Sequence, residues 1–329
     1  MIDITSIKYD FVVITPQGAQ VHLFEVRKAL SWEEPVGELA QRLNAEFKNI
    51  MHQGQWLHKY FALNTSVFLF SDWGEGWKEV FRGTVWGRSN PDQYGSFKVT
   101  AYDMLKYTKS KDDRYYPSGT IGKTIITDIA NDWKIPLGQI DGPNIALAKK
   151  AFRNRQISDM FLEVLDDAKY KGDGVYVIRA KQGKMDVVRR GQNTPVFHFG
   201  MENMTGLLDD SEDMEDLITR VKIIGYQTGD KKAPVYSTID GKTEYGIIQD
   251  IVIKEQSEKP AEAQEAARKL LDEKGKPNRK INIPAPDLPF LRKGDKVHIA
   301  AGALNGYFYI KGIRHDADEQ QMTLEVEAI

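Results

Sequence analysis

The 329 residues contain no cysteine, which excludes disulfides, thiolate zinc sites and a thiol nucleophile together. Neither sign of charge dominates: 45 Lys and Arg stand against 47 Asp and Glu, a net charge of −2. That balance argues against a broad nucleic-acid-binding face, though not against a local basic stripe. Long apolar runs are missing as well. The longest, such as Phe11-Val12-Val13-Ile14 and Val67-Phe68-Leu69-Phe70, fall far short of the ~20 residues that cross a bilayer as a helix. The opening Met1-Ile2-Asp3-Ile4-Thr5 has neither the basic start nor the apolar centre of a secretory signal. The expectation is a soluble protein made in the cytoplasm, reaching the outside, if it works there, by lysis or within a larger particle.

Catalytic motifs are equally scarce. Pro117-Ser118-Gly119-Thr120-Ile121-Gly122-Lys123-Thr124 ends like a phosphate-binding loop. It has Pro117 where the motif needs glycine and a polar stretch where it needs a buried strand, so an ordinary helix start is the better reading. Asp209 to Asp216 is acidic, but against a calcium loop Met214 holds the glycine position and Arg220 the bidentate glutamate position. A solvated linker is expected there. The six histidines (His22, His52, His58, His198, His298, His315) show no metal-ligand spacing, and there is no Gly-x-Ser-x-Gly elbow. With 47 carboxylates, acidic pairs for glycoside cleavage can be drawn in many ways and none is a signal. No catalytic, metal or cofactor-binding residue is assigned.

What is present is a succession of short strands, with 41% hydrophobic residues, enough for two or three domains. Tyr9–Thr15 and Ala19–Val26 flank a turn at Pro16-Gln17-Gly18, and Ser66–Phe70, Glu79–Trp86 and Ser96–Tyr102 follow. Glu38–Ile50 fits a helical stripe (Leu39, Leu43, Phe47, Ile50) and strict alternation equally well. Lys109–Arg114 reads as a charged connector. Thr120 then caps a helix with stripe Ile121, Ile125, Ile129 and Trp133, stopped by Pro136 and Gly138. A second helix from Ser158 turns Phe161, Leu165 and Ala168 inward and ends near Gly172. Val175–Ala180 and Met185–Arg189 form a hairpin about Gln182-Gly183.

Beyond Gly200 strands return at Thr219–Tyr226, Ile247–Ile253, Lys280–Ile283, Lys296–Ala300, Tyr307–Ile313 and Met322–Glu327. Asp240-Gly241 signals a hairpin between Tyr236–Ile239 and Lys242–Tyr245. Ser257 caps one more helix, with Pro260 in its first turn, Ala263, Ala267, Leu270 and Leu271 as its stripe and Gly275 as its stop.

Two features remain. Val67-Phe68-Leu69, Val80-Phe81-Arg82-Gly83 and Phe97-Lys98-Val99-Thr100-Ala101 are echoed, in order, by Val297-His298-Ile299, Tyr309-Ile310-Lys311-Gly312 and Met322-Thr323-Leu324-Glu325-Val326. The echo leaves internal duplication and the chance likeness of two meanders both open. Trp73-Gly74-Glu75-Gly76-Trp77 sets two indoles on a glycine-rich loop, shortly after Trp56. Three readings stand: rings folded back over a barrel end, a protein interface, or a sugar-stacking site. Trp56, Trp73 and Trp77 are the candidate interface or ligand contacts.

Ser31-Trp32 with Glu38–Phe47, Ala101-Tyr102-Asp103-Met104-Leu105-Lys106-Tyr107, Ile125–Gly138, Thr219–Gly225, Leu291-Arg292-Lys293-Gly294-Asp295-Lys296-Val297 and the closing Met322–Val326 together resemble XkdQ/YqbQ-type proteins. These belong to prophages and phage-tail-like bacteriocins and are relatives of contractile-tail baseplate hubs. The resemblance runs over nearly the whole chain and rests on order and spacing. Gln320-Gln321-Met322 stands where many relatives have His-Thr-Met.

The resemblance implies strand rather than helix for Glu38–Ile50. It also implies a mainly β fold with an α+β insertion: two tube-like antiparallel β-barrels plus a smaller α+β domain. The implied boundaries are 1–108 for the first barrel, 109–200 for the α+β part, 201–228 with 278–329 for a discontinuous second barrel, and 229–277 for an insertion. It implies a structural, non-catalytic homotrimer, without cofactor, that joins a six-fold tail tube to a trimeric spike in a baseplate. A wall-glycan-binding module and a wall hydrolase component are the rival functions.

Overall fold

A computed structural model of the chain describes residues 7–23, 27–93, 95–225, 232–254 and 260–329. The first five residues, the end of the strand expected to reach Val26, Tyr226 and the Ser257 cap lie outside the described residues. Two compact units emerge: residues 1–208 with 282–329, and residues 209–281.

The larger unit is mainly β. Its strands lie in the order Arg27–Glu34, Arg42–Lys48, Ser96–Tyr102, Lys78–Arg88, Ser66–Asp72, Lys8–Ile14, Gln20–His22. Alternation decides which side chains turn inward. Leu43, Ala45 and Phe47 of Arg42–Lys48 are buried, so the segment that fitted both periods is a strand. No hydrogen-bonded closure is found among the described residues, but the sheet curls onto itself. Tyr9 and Trp32 sit in strands five places apart in that order, and their rings meet edge-on at 5.4 Å. Phe11 and Phe47 meet at 5.3 Å. A single aromatic-rich core fills the curl.

The echo in the sequence has a counterpart in strand order. Lys8–Ile14, Ser66–Asp72, Lys78–Arg88, Ser96–Tyr102 and Arg42–Lys48 are consecutive neighbours, and so are Phe197–Gly200, Lys296–Ala301, Leu304–Asp316, Gln321–Ala328 and Asn278–Pro286. The outermost pair differs in direction. Lys8–Ile14 runs antiparallel to its neighbour, whereas Phe197–Gly200 runs parallel to Lys296–Ala301. Ile313–Asp316 also pairs with Ser31–Glu34, which joins the two meanders side by side.

The middle segment packs two helices, α1 (Gly122–Asp132) and α2 (Ile157–Tyr170), against the sheet Leu137–Ile140, Lys184–Arg189, Tyr176–Lys181. The expected stripe of α1 needs correction. Ile125, Ile126, Ile129 and Ala130 are buried, while Ile121 and Trp133 are exposed, and Thr120 donates its hydroxyl to the Pro117 carbonyl instead of capping the helix. The charged connector is also corrected. Lys111–Tyr116 is a strand paired with Lys150–Gln156, its polar side chains satisfied by Arg114 against Asp112 and Asp132.

The smaller unit has a three-stranded sheet, with Arg220–Ile224 central between Val235–Asp240 and Gln249–Ile253. The third helix, α3 (Pro260–Lys274), lays Ala263 and Ala267 on Val221 and Ile223. Arg220–Ile224, expected in the second barrel, therefore belongs to this unit. The hairpin expected at Asp240-Gly241 is absent: Val235–Asp240 pairs with Arg220–Ile224, and Thr243–Tyr245 is a single 3-10 turn. The acidic Asp209–Asp213 is an exposed strand rather than a linker, with Arg279 bidentate on Asp210.

Candidate functional site

The segment Leu291-Arg292-Lys293-Gly294-Asp295 is where the parts of the larger unit converge. Leu291 is buried. The Arg292 guanidinium donates to both oxygens of Glu34 at 2.8 and 2.6 Å, and to the Ala180 carbonyl at 3.0 Å. The Lys293 amide adds a third bond to Glu34 at 2.9 Å, while its ammonium reaches the carbonyls of Pro35 and Glu38. Asp295 accepts from the Arg292 amide and from Arg179 at 3.0 Å. Gly294 has φ +91°, and a Cβ there would lie 2.4 Å from Val177, so both conformation and space require glycine. One loop thus ties the strand carrying Glu34, the hairpin carrying Arg179 and Ala180, and the second meander.

The electrostatics follow from burial. Burial disfavours the Glu34 charge, but Arg292 and the Lys293 amide outweigh it and hold the carboxyl down at about 2. Arg292 shifts up in return, the attraction of Glu34 overcoming its own desolvation. At nearby Asp103 burial wins over the pull of the Arg292 charge. Burial raises it to about 7, although it accepts amides from Gln41 at 3.0 Å and Leu105 at 2.9 Å. Burial likewise raises Asp295 and lowers Lys293.

A second buried joint leaves the same loop. Asp287 accepts the Tyr9 hydroxyl on one oxygen and His315 Nδ1, at 2.6 Å, on the other. All three are almost fully buried, and His315 stacks on Trp32 at 4.5 Å. The Tyr9 phenol is shifted up by burial and then by the Asp287 charge. Neither Glu34 nor Asp287 carried a local signal of its role: Arg292 lies 258 residues from Glu34, and Tyr9 and His315 lie 278 and 28 residues from Asp287.

Beside these joints opens a cleft of about 500 Å³, floored by Trp73, Phe197 and Phe290 and edged by Arg179, Glu75 and Glu79. The Trp73 ring lies 5.0 Å from Phe290, which lies 5.1 Å from Phe197. The candidate tryptophans therefore part company. Asp72 accepts the amides of Gly74 and Gly76 and folds the loop so that Trp73 packs on the first core, leaving Trp77 51% exposed. Trp56 stands on a separate small hairpin, Met51–His52 with Gln55–Trp56, and is 46% exposed. Sequence reasoning passed over Trp86, whose exposed ring lies 5.2 Å from exposed Tyr107, with the Lys106 ammonium 3.8 Å from the neighbouring Tyr102 ring.

The phosphate-loop likeness dissolves in the geometry. The Gly122 and Lys123 amides donate to the Ile145 and Pro143 carbonyls, and the Lys123 ammonium donates to the Ile140 carbonyl at 2.7 Å. The donors a phosphate would need are already engaged. Among the described residues no group of three or more His, Asp or Glu is placed to hold a metal ion, and no helix is long and apolar enough to cross a membrane.

Comparison with known proteins agrees with this architecture. The chain is 25% identical over 281 residues to YqbQ of Bacillus subtilis, covering 84% of each chain. It is 26% identical over 261 residues to the phage-like element PBSX protein XkdQ of the same organism, covering 77% of this chain and 78% of the relative. The crystal structure of the tail protein from Neisseria meningitidis shares the fold, with a TM-score of 0.68 over 97% of this chain and 96% of that one at 14% identity. The YqbQ-like family matches residues 41–328, and the chain belongs to it.

Proposed function

We propose that the protein is the hub of a contractile tail or tail-like particle, a non-catalytic homotrimer that adapts a six-fold tube to a trimeric spike and is assembled into the baseplate. The observation that carries this reading is the strand order found twice in one chain, in two meanders set side by side. Three chains then present six similar β elements to a six-fold neighbour, while the true three-fold axis serves the spike. Closing such a ring needs a heterologous contact, one surface of a subunit against a different surface of the next. The outer edges of strands Gln20–His22 and Phe197–Gly200, each with one strand neighbour among the described residues, supply edges that such a contact would cover. A permanent interface of this kind buries on the order of 2,000 Å² or more and favours aromatic anchors. Trp56 and Trp77, both exposed, suit that role, whereas Trp73 is engaged within its own chain. That division also speaks against a glycan site built on the Trp73–Trp77 pair.

The test is the solution mass of the protein by light scattering, alone and co-expressed with the spike. A trimer alone, or a monomer that becomes a trimer with the spike, is the expected result. A stable dimer in both samples would overturn the proposal.

A further inference from the structure

His198 and His298 stand directly opposite each other on the parallel strands Phe197–Gly200 and Lys296–Ala301. Their Nδ1 atoms are 2.8 Å apart and the rings are 23° from parallel, 4.9 Å between centroids. The other histidines face different chemistry: His22 an aspartate, His58 an asparagine, His315 the buried Asp287, and His52 the Tyr60 ring. Without a metal, the His198–His298 approach is one N–H···N hydrogen bond, one ring donating and the other accepting. The same approach suits a single cation bridging both nitrogens. Metal–nitrogen bonds of about 2.0–2.1 Å require a separation of about 2.9 Å for a 90° angle and about 3.3 Å for a tetrahedral one. The observed 2.8 Å matches the right angle.

We propose that His198 and His298 form a two-imidazole site for a divalent transition-metal ion of square-planar or octahedral preference, Cu2+ or Ni2+ rather than Zn2+. Water completes the coordination. Binding needs the donor ring to move its proton from Nδ1 to Nε2, which leaves both imidazoles neutral and consumes nothing. Lys296, two residues from His298 on the same face, carries its ammonium 5.6 Å from the Tyr307 ring centroid. The site staples a four-residue strand to the one strand that neighbours it among the described residues, adding a cross-strand bond at that edge.

Calorimetric titration of the whole purified protein with CuCl2, NiCl2 and ZnCl2 tests this, together with the paramagnetic resonance spectrum of the Cu2+ sample. Expected are one Cu2+ per chain with coupling to two nitrogens, and Ni2+ bound more tightly than Zn2+. Affinity should fall at least about ten-fold in both His198→Ala and His298→Ala, because each variant loses the chelate. Amide exchange over residues 197–200 should slow when Cu2+ is added. Affinity equal in the wild type and both variants, Zn2+ preferred over Ni2+, or no binding at millimolar metal would each overturn the site. These readouts need no trimer, so their failure would leave the hub reading untouched, and the reverse holds.

Discussion

The two buried joints that leave residues 287–295 reach the same curled sheet by different chemistry. The Glu34–Arg292 joint sets two full charges against each other, with three donors converging on one carboxylate. The Asp287 joint gives one carboxylate a phenol and an imidazole, inside an aromatic wall of Tyr9, Trp32 and His315. The first also reaches the hairpin of the middle segment through Ala180 and Arg179, so it fixes three parts in register. The second holds two. A buried ion pair is an inefficient source of stability, since desolvation offsets much of its attraction, but losing one member strands the other. The charged joint therefore works as a registry device and should be the more fragile of the two.

The largest expected effect follows. Arg292→Met leaves Glu34 buried without its main partner and should cost roughly 3–5 kcal/mol in urea unfolding. Adding Glu34→Gln removes the stranded charge while keeping an acceptor for the Lys293 amide, and should restore most of the loss. If single and double variants lose equally, Arg292 contributes packing rather than pairing, and the contrast between the joints collapses.

How much of this was legible in the sequence differs along the chain. Strand identity was legible wherever alternation was clean, as at Ser96–Tyr102 and Gln321–Ala328. Leu39 to Phe47 was ambiguous for a physical reason: Leu39 and Ala40 serve the core of the middle segment, while Leu43, Ala45 and Phe47 serve the first β core, so two patterns overlap in one stretch. Lys111–Tyr116 hid its strand because ion pairs, not apolar burial, satisfy its side chains. At Asp240-Gly241 the turn chemistry was real, with the Gly241 amide bonded to the Thr219 carbonyl, but the strand before it chose a distant partner. The loop around Arg292 stood out as a motif. Glu34, Asp287 and Tyr9 did not, because a buried polar residue is recognisable only once its partner is known.

The charged joint should also show itself in pH dependence, with two opposing signs. Glu34 has a folded pKa of about 2, below its unfolded value, so it contributes stability above about pH 4.5 that is lost as pH falls toward 2. Asp103 has a folded pKa of about 7, above its unfolded value. Its cost is absent below about pH 4 and grows as pH rises toward 7, where ionisation inside the protein becomes unavoidable. The Glu34 excursion is on the order of 3 kcal/mol and the Asp103 excursion on the order of 4 kcal/mol. Asp103→Asn should flatten the decline between pH 4 and 7 and leave the acid limb intact, whereas Glu34→Gln should flatten the acid limb. Denaturant midpoints measured from pH 2 to 8 would check both, and an unchanged neutral-side slope in Asp103→Asn would remove Asp103 from the joint's electrostatics.

The smallest effect belongs to the aromatic joint. Tyr9→Phe keeps the ring against Trp32 and deletes only the hydroxyl, so Asp287 loses one of its two side-chain donors while His315 remains. One hydrogen bond to a charged acceptor is worth about 1.5–3 kcal/mol, and the lower end is expected because the imidazole bond persists. The high-pH limb reads the buried, protonated phenol a second way. Burial, and then the Asp287 charge, lift the folded pKa of Tyr9 far above its unfolded value near 10. Its contribution is therefore complete below pH 10 and declines above it, where the unfolded phenol ionises and the folded one does not. The stability gap between wild type and Tyr9→Phe should shrink as pH climbs past 10, read as converging denaturant midpoints. A gap that stays constant through that range would mean that the phenol ionises as readily in the folded protein as in the unfolded chain, which neither its burial nor its bond to Asp287 allows.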